Sequence, residues 1–475
     1  MTDTQSRPAG TGQARRPWVD RVRPAAALAL ALSLAGQSPP PAPSAPPAQT
    51  APTAPTAPPA APAAAPAAPA GPARAAATDP HATPLTATPT ADLSPEAALI
   101  AQRMAALPPA RGVEGADLYV PARSVPGGAG RMPPTTTPDA AGIAPEAIEA
   151  AAQWAQARGS FALIIARDGA IVAQRYWGGH GPGSRFSTAS MHKTVMALAF
   201  GPAIAENRIR LEDPVGRWLP EWKDDPRGRI TIGQLLRMES GLAWPPQPGP
   251  PGPTSPSMRL MFAPDIRAVA LETPAAVPPG TRFAYYNHDS QLAGEALAAA
   301  VGGDYARWLS EKLWRPIGAA EASLFLDREG GSPHYFCCIQ ARPWDWMRVG
   351  ELIRNRGRAF GRQVVPAAWI DAMTAPSAHN PNFGMQIWRG SPHAPQRRYS
   401  PTASLVVPAA EPFAREDVIF LDGAGGQRVY VIPSERLTIV RIGNPAPNWD
   451  DSALPNIILR GLASGPGQPG PRQAP

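Results

Sequence analysis

From Gln37 to about Thr90 the chain is almost entirely Pro, Ala, Thr and Ser, and this stretch limits how much can fold. Such a segment has nothing to bury and favours extended polyproline II, so residues 37–93 read as a semi-rigid disordered tether. Of 475 residues 64 are Pro, and much of that excess lies before position 95. What remains, roughly 94 to 463, suffices for one large domain with a filled core.

Residues 1–36 read as a signal peptide. Arg15, Arg16, Arg21 and Arg23 precede Pro24–Gly36 (PAAALALALSLAG), which is apolar but too short to span a bilayer. Ser33 and Ala35 fit the small residues of a cleavage site, and Gln37 stands where a lipidated cysteine would be. The expectation is a periplasmic or secreted protein with no stable membrane insertion after cleavage. The competing reading is an alanine-rich disordered tail.

After the tether, Ser94-Pro95-Glu96 looks like a helix start, and residues 94–136 are expected to pack on the core as an extension. The main domain is placed at 137–463, with a disordered tail at 464–475. Pro145 to Arg158 has helical composition. Phe161–Ala166 and Ile171–Tyr176 flank Asp168-Gly169, a favoured hairpin turn. Ser190 to Glu206 reads as a helix, and helical pieces follow at 232–238 and 291–301. Strands return at Val418–Leu421, Arg428–Ile432 and Leu437–Ile442, before a closing helix at 456–462. Strands at both ends and a helix-rich middle predict an α+β fold. One antiparallel sheet would be built from both ends of the domain, flanked by helices, with a helical insertion.

The net charge of +7 is scattered, and no zinc-finger or RNA-binding signature accompanies it, so no nucleic-acid partner is expected. The only cysteines, Cys337 and Cys338, are adjacent; they cannot close a useful loop and are expected to be reduced and buried. The seven histidines form no metal-binding pair, so no metal or other cofactor is expected.

The chemistry begins with Ser190 and Lys193. A serine hydroxyl needs a base beside it, and residues three apart share a helix face, so Lys193 can reach Ser190. A lysine can serve only if its surroundings hold it neutral, which arginine cannot do. Only Lys193, Lys223 and Lys312 stand among 44 Lys and Arg, and S-x-x-K occurs once. Alone, that match could be accidental. Tyr285-Tyr286-Asn287 supplies Y-x-N, where Tyr285 could pass protons and Asn287 bond the substrate, or both could be core residues. Leu421-Asp422-Gly423-Ala424-Gly425-Gly426 lies between two strands, either as a close-approach site or as a simple hairpin turn. His192 points nearly opposite to Ser190 on a helix and is a poor base for it. His288 beside Asn287 tunes the pocket or lies outside it.

Taken in order, with flanks such as Leu211–Val215, Leu235–Leu242 and Phe336-Cys337-Cys338, these motifs resemble the serine β-lactamase and penicillin-binding-protein-like superfamily. The likeness covers about Pro145 to Asn444 and leans toward its class C β-lactamase, esterase and 6-aminohexanoate-oligomer hydrolase branch. The resemblance implies a β-lactamase/transpeptidase-like fold with Ser190 as the acylated nucleophile and Lys193 and Tyr285 as the base system. Which of the two takes the first proton stays open. It further implies Asn287 and Gly423 as substrate-binding residues, and the backbone N–H groups of Ser190 and Ala424 as the oxyanion hole. The departure is Leu421-Asp422-Gly423, where β-lactam and D-alanyl-peptide enzymes of the family usually carry a cation. It adds a carboxylate, which favours neutral esters or amides unless Arg428 or another arginine restores the charge. The implied function is an exported serine hydrolase of small ester or amide substrates. The alternatives are a β-lactamase or D-Ala-D-Ala carboxypeptidase, and a weakly catalytic binding module carried to cell-wall peptides by the tether.

Overall fold

A computed structural model of the chain describes residues 93–106, 113, 119–245, 251–399, 406–446 and 448–462, all within one compact unit. The expected signal peptide, the expected C-terminal tail and all of the tether but Leu93 lie outside the described residues.

Helix α1 (Pro95–Ala106) begins where the Ser94 hydroxyl accepts the Ala97 N–H at 3.2 Å. It is tied to the rest by Arg103, which donates to the Phe262 carbonyl at 2.8 Å, and by Glu96, which pairs with Arg259 at 2.8 Å. Helix α2 (Pro145–Gln156) leads into β1 (Ser160–Arg167) and β2 (Ala170–Tyr176). Asp168 and Gly169 both adopt positive φ, the backbone a tight two-residue hairpin turn requires. Helix α3 (His192–Ala205) follows, then the helical insertion containing α4 (Asn287–Ala300) and α5 (Pro343–Arg354). The chain returns through β3 (Trp388–Arg389), β4 (Ile419–Gly423), β5 (Gln427–Ile432), β6 (Leu437–Gly443) and helix α6 (Ala453–Arg460).

The main sheet has the order β2-β1-β6-β5-β4-β3 and every neighbouring pair is antiparallel. Strands from the two ends of the domain therefore meet at the β1–β6 seam, as expected from the sequence. Both faces of this sheet are covered. Leu163 and Ile165 join Tyr430, Ile432 and Ile439 in a core closed by α2 and α6. Ala162, Ile164 and Ala166 face the other way with Val429, Val431 and Val440, beneath α5 and α3. Burial on two sides explains why β1 reads as an unbroken apolar run rather than an alternating one. Gly350 lets α5 approach closely, since a Cβ there would lie 2.6 Å from Thr438 and 2.8 Å from Val429. Among the described residues, no helix is long and apolar enough to cross a membrane.

Candidate active site

Ser190 sits in a short turn, Ala189–Met191, that feeds directly into α3. Helix α3 is apolar on all sides and buried from His192 to Ala203, so Lys193 in its first turn is carried into the interior at 2 % exposure. Its Nζ donates to Asn287 Oδ1 at 2.8 Å and to the Phe336 carbonyl at 2.7 Å, and lies 2.9 Å from Ser190 Oγ. Tyr285 enters on the segment before α4. Its N–H donates to the Tyr399 carbonyl at 2.7 Å, and its ring stacks on Trp388 at 5.8 Å and meets Tyr399 edge-on at 5.1 Å. Lys193 Nζ stands 4.9 Å from the Tyr285 ring centre, and the Tyr285 hydroxyl shares a hydrogen bond with Ser190. Asn287 is the first residue of α4, and the side chain it meets is that of Lys193.

These surroundings push the two titratable groups apart. Burial lowers the Lys193 ammonium well below its ordinary value, with the Asp422 charge opposing only in part. Burial also raises the Tyr285 phenol well above its ordinary value; Asp422 adds to this, and the Ser190 hydrogen bond opposes it. Both shifts favour the uncharged forms beside Ser190, the amine of Lys193 and the phenol of Tyr285.

Gly423 ends β4 against the segment that leads into Ser190. A Cβ there would lie 2.3 Å from the Thr188 carbonyl oxygen, so the contact needs a bare backbone. Ala424 follows in the exposed turn to β5.

The neighbouring carboxylate corrects an expectation. Asp422 is not a lone negative charge facing substrate; it is 4 % exposed and enclosed by Arg397, Arg428 and Tyr399. Arg397 approaches at 3.3 Å, Arg428 contacts Oδ1 directly, and the Tyr399 hydroxyl donates at 2.8 Å. The two guanidiniums also hold Asp451 at 2.8 and 2.7 Å, which balances two cations with two carboxylates. Arg428 restores charge balance, as one option in the sequence allowed, but its nitrogens are spent on Asp422, Asp451 and backbone carbonyls. Asp422→Ala leaves two buried arginines sharing one carboxylate, and is expected to cost about 3–5 kcal/mol in denaturant unfolding. A surface-like change under 1 kcal/mol would contradict the enclosed network.

The expected reduced state of the cysteines is also corrected. Cys337 and Cys338 are joined to each other by a disulfide, and both are buried. Reasoning from loop closure missed this because a bond between adjacent residues closes no chain loop; it constrains only the peptide between them.

His192 is buried and turned away from Ser190. Its Nδ1 faces the His334 and Cys337 carbonyls at 3.0 and 2.9 Å, and so must carry the proton. Its Nε2 accepts from the Tyr305 hydroxyl at 3.1 Å, and burial lowers its pKa to about 4. His288 stacks on Tyr286 at 4.4 Å, with burial lowering it to about 3. Among the described residues no group of three His, Cys, Asp or Glu is placed to hold a metal ion. Sequence reasoning missed Phe336, Trp388, Arg397, Tyr399 and Asp451.

The sequence model of the family described as Beta-lactamase matches residues 145–461. A 6-aminohexanoate-dimer hydrolase of Paenarthrobacter ureafaciens is 24% identical over 224 residues, which is 45% of this chain and 57% of that relative. The chain thus spans just over half the length of that relative. A Bacillus anthracis structure described as "Putative 6-aminohexanoate-dimer hydrolase" superposes with TM-score 0.59 at 18% identity, covering 73% of this chain and 90% of that one. EstCE1, described as a hydrolase with promiscuous acyltransferase activity, superposes with TM-score 0.51 at 16% identity, covering 67% and 97%. At these identities the structural likenesses establish the fold.

Proposed function

The chain belongs to the Beta-lactamase family, and from that premise we propose that it is an exported serine hydrolase that cleaves a neutral ester or amide through an acyl-enzyme on Ser190. The observation that carries this reading is the set of partners around Lys193 Nζ. A neutral amine has two N–H donors and one lone pair. Asn287 Oδ1 and the Phe336 carbonyl only accept, so they take the two hydrogens and leave the lone pair for the Ser190 O–H. Lys193 is then the first proton acceptor, and Tyr285, held as a phenol, hands its proton to the leaving group and regains one from the Lys193 ammonium. The backbone N–H groups of Ser190 and Ala424 stabilise the oxyanion. Asn287 orients Lys193 as well as meeting substrate.

Substrate preference follows from the closed charge network at Asp422. Among the described residues, the charges at that position are paired with one another, which leaves neither a cation for a substrate carboxylate nor a carboxylate for an ammonium. Export is proposed on the arginine-flanked apolar run at Pro24–Gly36.

A parallel assay with p-nitrophenyl esters, p-nitroanilides and a chromogenic cephalosporin tests the substrate reading. The expected outcome is a kcat/KM for at least one neutral ester or anilide that exceeds the cephalosporin value by about 100-fold, near 3 kcal/mol of discrimination. Faster turnover of the cephalosporin than of every ester and anilide would contradict it.

A further inference from the structure

Three consecutive residues of the insertion hold the nucleophile turn, and the Cys337–Cys338 disulfide runs through them. The Phe336 carbonyl takes one hydrogen of Lys193 Nζ at 2.7 Å. The Cys337 carbonyl accepts from His192 Nδ1, between Ser190 and Lys193 in the chain, at 2.9 Å. The Cys338 N–H donates to the carbonyl of Ala189, the residue before Ser190, at 3.1 Å. Ala189 has φ +50° and Cys338 φ +73°, so two left-handed non-glycine residues meet across that hydrogen bond. Such conformations persist only where the surroundings over-determine them. A covalent link between adjacent side chains restricts the peptide between them, and here that peptide is the one whose neighbours grip residues 189–193.

We propose that the Cys337–Cys338 disulfide is a positioning element for the Lys193 base. Resting on the reading that Lys193 activates Ser190, it makes full activity a property of the oxidised protein. Opening the bond takes two electrons and two protons from a dithiol: the S–S bond breaks, two S–H bonds form, and dithiothreitol closes to its cyclic disulfide. The freed 337–338 peptide relaxes, the Phe336 carbonyl loosens its hold on Nζ, and water reaches an amine that burial had kept neutral. Lys193 then moves back toward its ordinary pKa, and less of it is a base at neutral pH.

The test compares the full chain, the chain reduced with dithiothreitol and alkylated, and the C337S/C338S variant, each assayed on a p-nitrophenyl ester and by fluorophosphonate labelling. The expected result is a fall in kcat of ~10-fold or more for both treated forms, with KM changed less than twofold. The acid limb of their pH–rate profiles moves to higher pH, and an unchanged near-UV circular dichroism spectrum separates this local effect from general loosening of the fold. Near-UV circular dichroism and the thermal midpoint identify any form that has unfolded, and the reduced wild-type chain then stands in for a variant that fails to fold. Unchanged kcat and pH profile in the folded, thiol-free variant would overturn the proposal, as would two alkylatable thiols in a fully active chain. Absence of labelling in the untreated oxidised chain would instead overturn the reading of Ser190 and Lys193 on which it rests.

Discussion

Ser190→Ala is expected to lower kcat for ester hydrolysis by roughly 10⁴-fold or more, leaving only what substrate binding and the oxyanion donors supply. Among the described residues, Ser190 is the one hydroxyl within hydrogen-bond reach of the Lys193 amine, at 2.9 Å, and it stands beside the Tyr285 phenol. Stability should barely change, because Ser190 is partly exposed and Lys193 keeps two acceptors without it. A residual rate within tenfold of wild type would mean that another group attacks the substrate.

Lys193→Arg is expected to cost about 10²–10⁴-fold in kcat even though side-chain length is roughly kept. The guanidinium cannot be deprotonated at working pH, so no lone pair faces Ser190. On the proposed mechanism the wild-type amine is the base, and burial holds it well below the ordinary lysine value. The sign follows: the rate falls as pH drops through that lowered value, because the amine takes up a proton. It does not wait for the ordinary lysine range as pH rises. A pH–rate profile should therefore show an acid limb in the wild type that is missing from the residual activity of Lys193→Arg. Retention of that limb in the variant would assign it to another group.

Much of the fold could be read from the sequence because its strongest signals are local. The Asp168-Gly169 turn between two apolar runs, the helix after Ser190 and the three strands near the end of the domain lie within a few residues of their expected limits. Lys193 was legible for the same reason, since the distance to Ser190 is set by one turn of backbone. Tyr285 and Asn287 were legible as a pair, but the contact of Asn287 with Lys193 depends on where α4 docks against α3.

Other parts of the site have no sequence signature. A backbone carbonyl such as that of Phe336 looks the same in any residue, and only the fold aims it at Nζ. Arg428 could be named as a partner of Asp422 because it stands directly opposite across the β4–β5 turn, whereas Arg397 and Tyr399 lie on another segment with no spacing rule linking them to it. Trp388 and Tyr399, which wall Tyr285, carry the ordinary pattern of buried aromatics.

On the proposed mechanism, hydrolysis proceeds through a covalent acyl group on Ser190. Rapid-quench mass spectrometry during turnover of a slowly deacylated p-nitrophenyl ester tests it most directly. The expected result is a burst of nitrophenol equal to the enzyme present, with one acyl group per chain mapping to the peptide that contains Ser190. An acyl group on any other residue, or steady turnover with no covalent species, would contradict it.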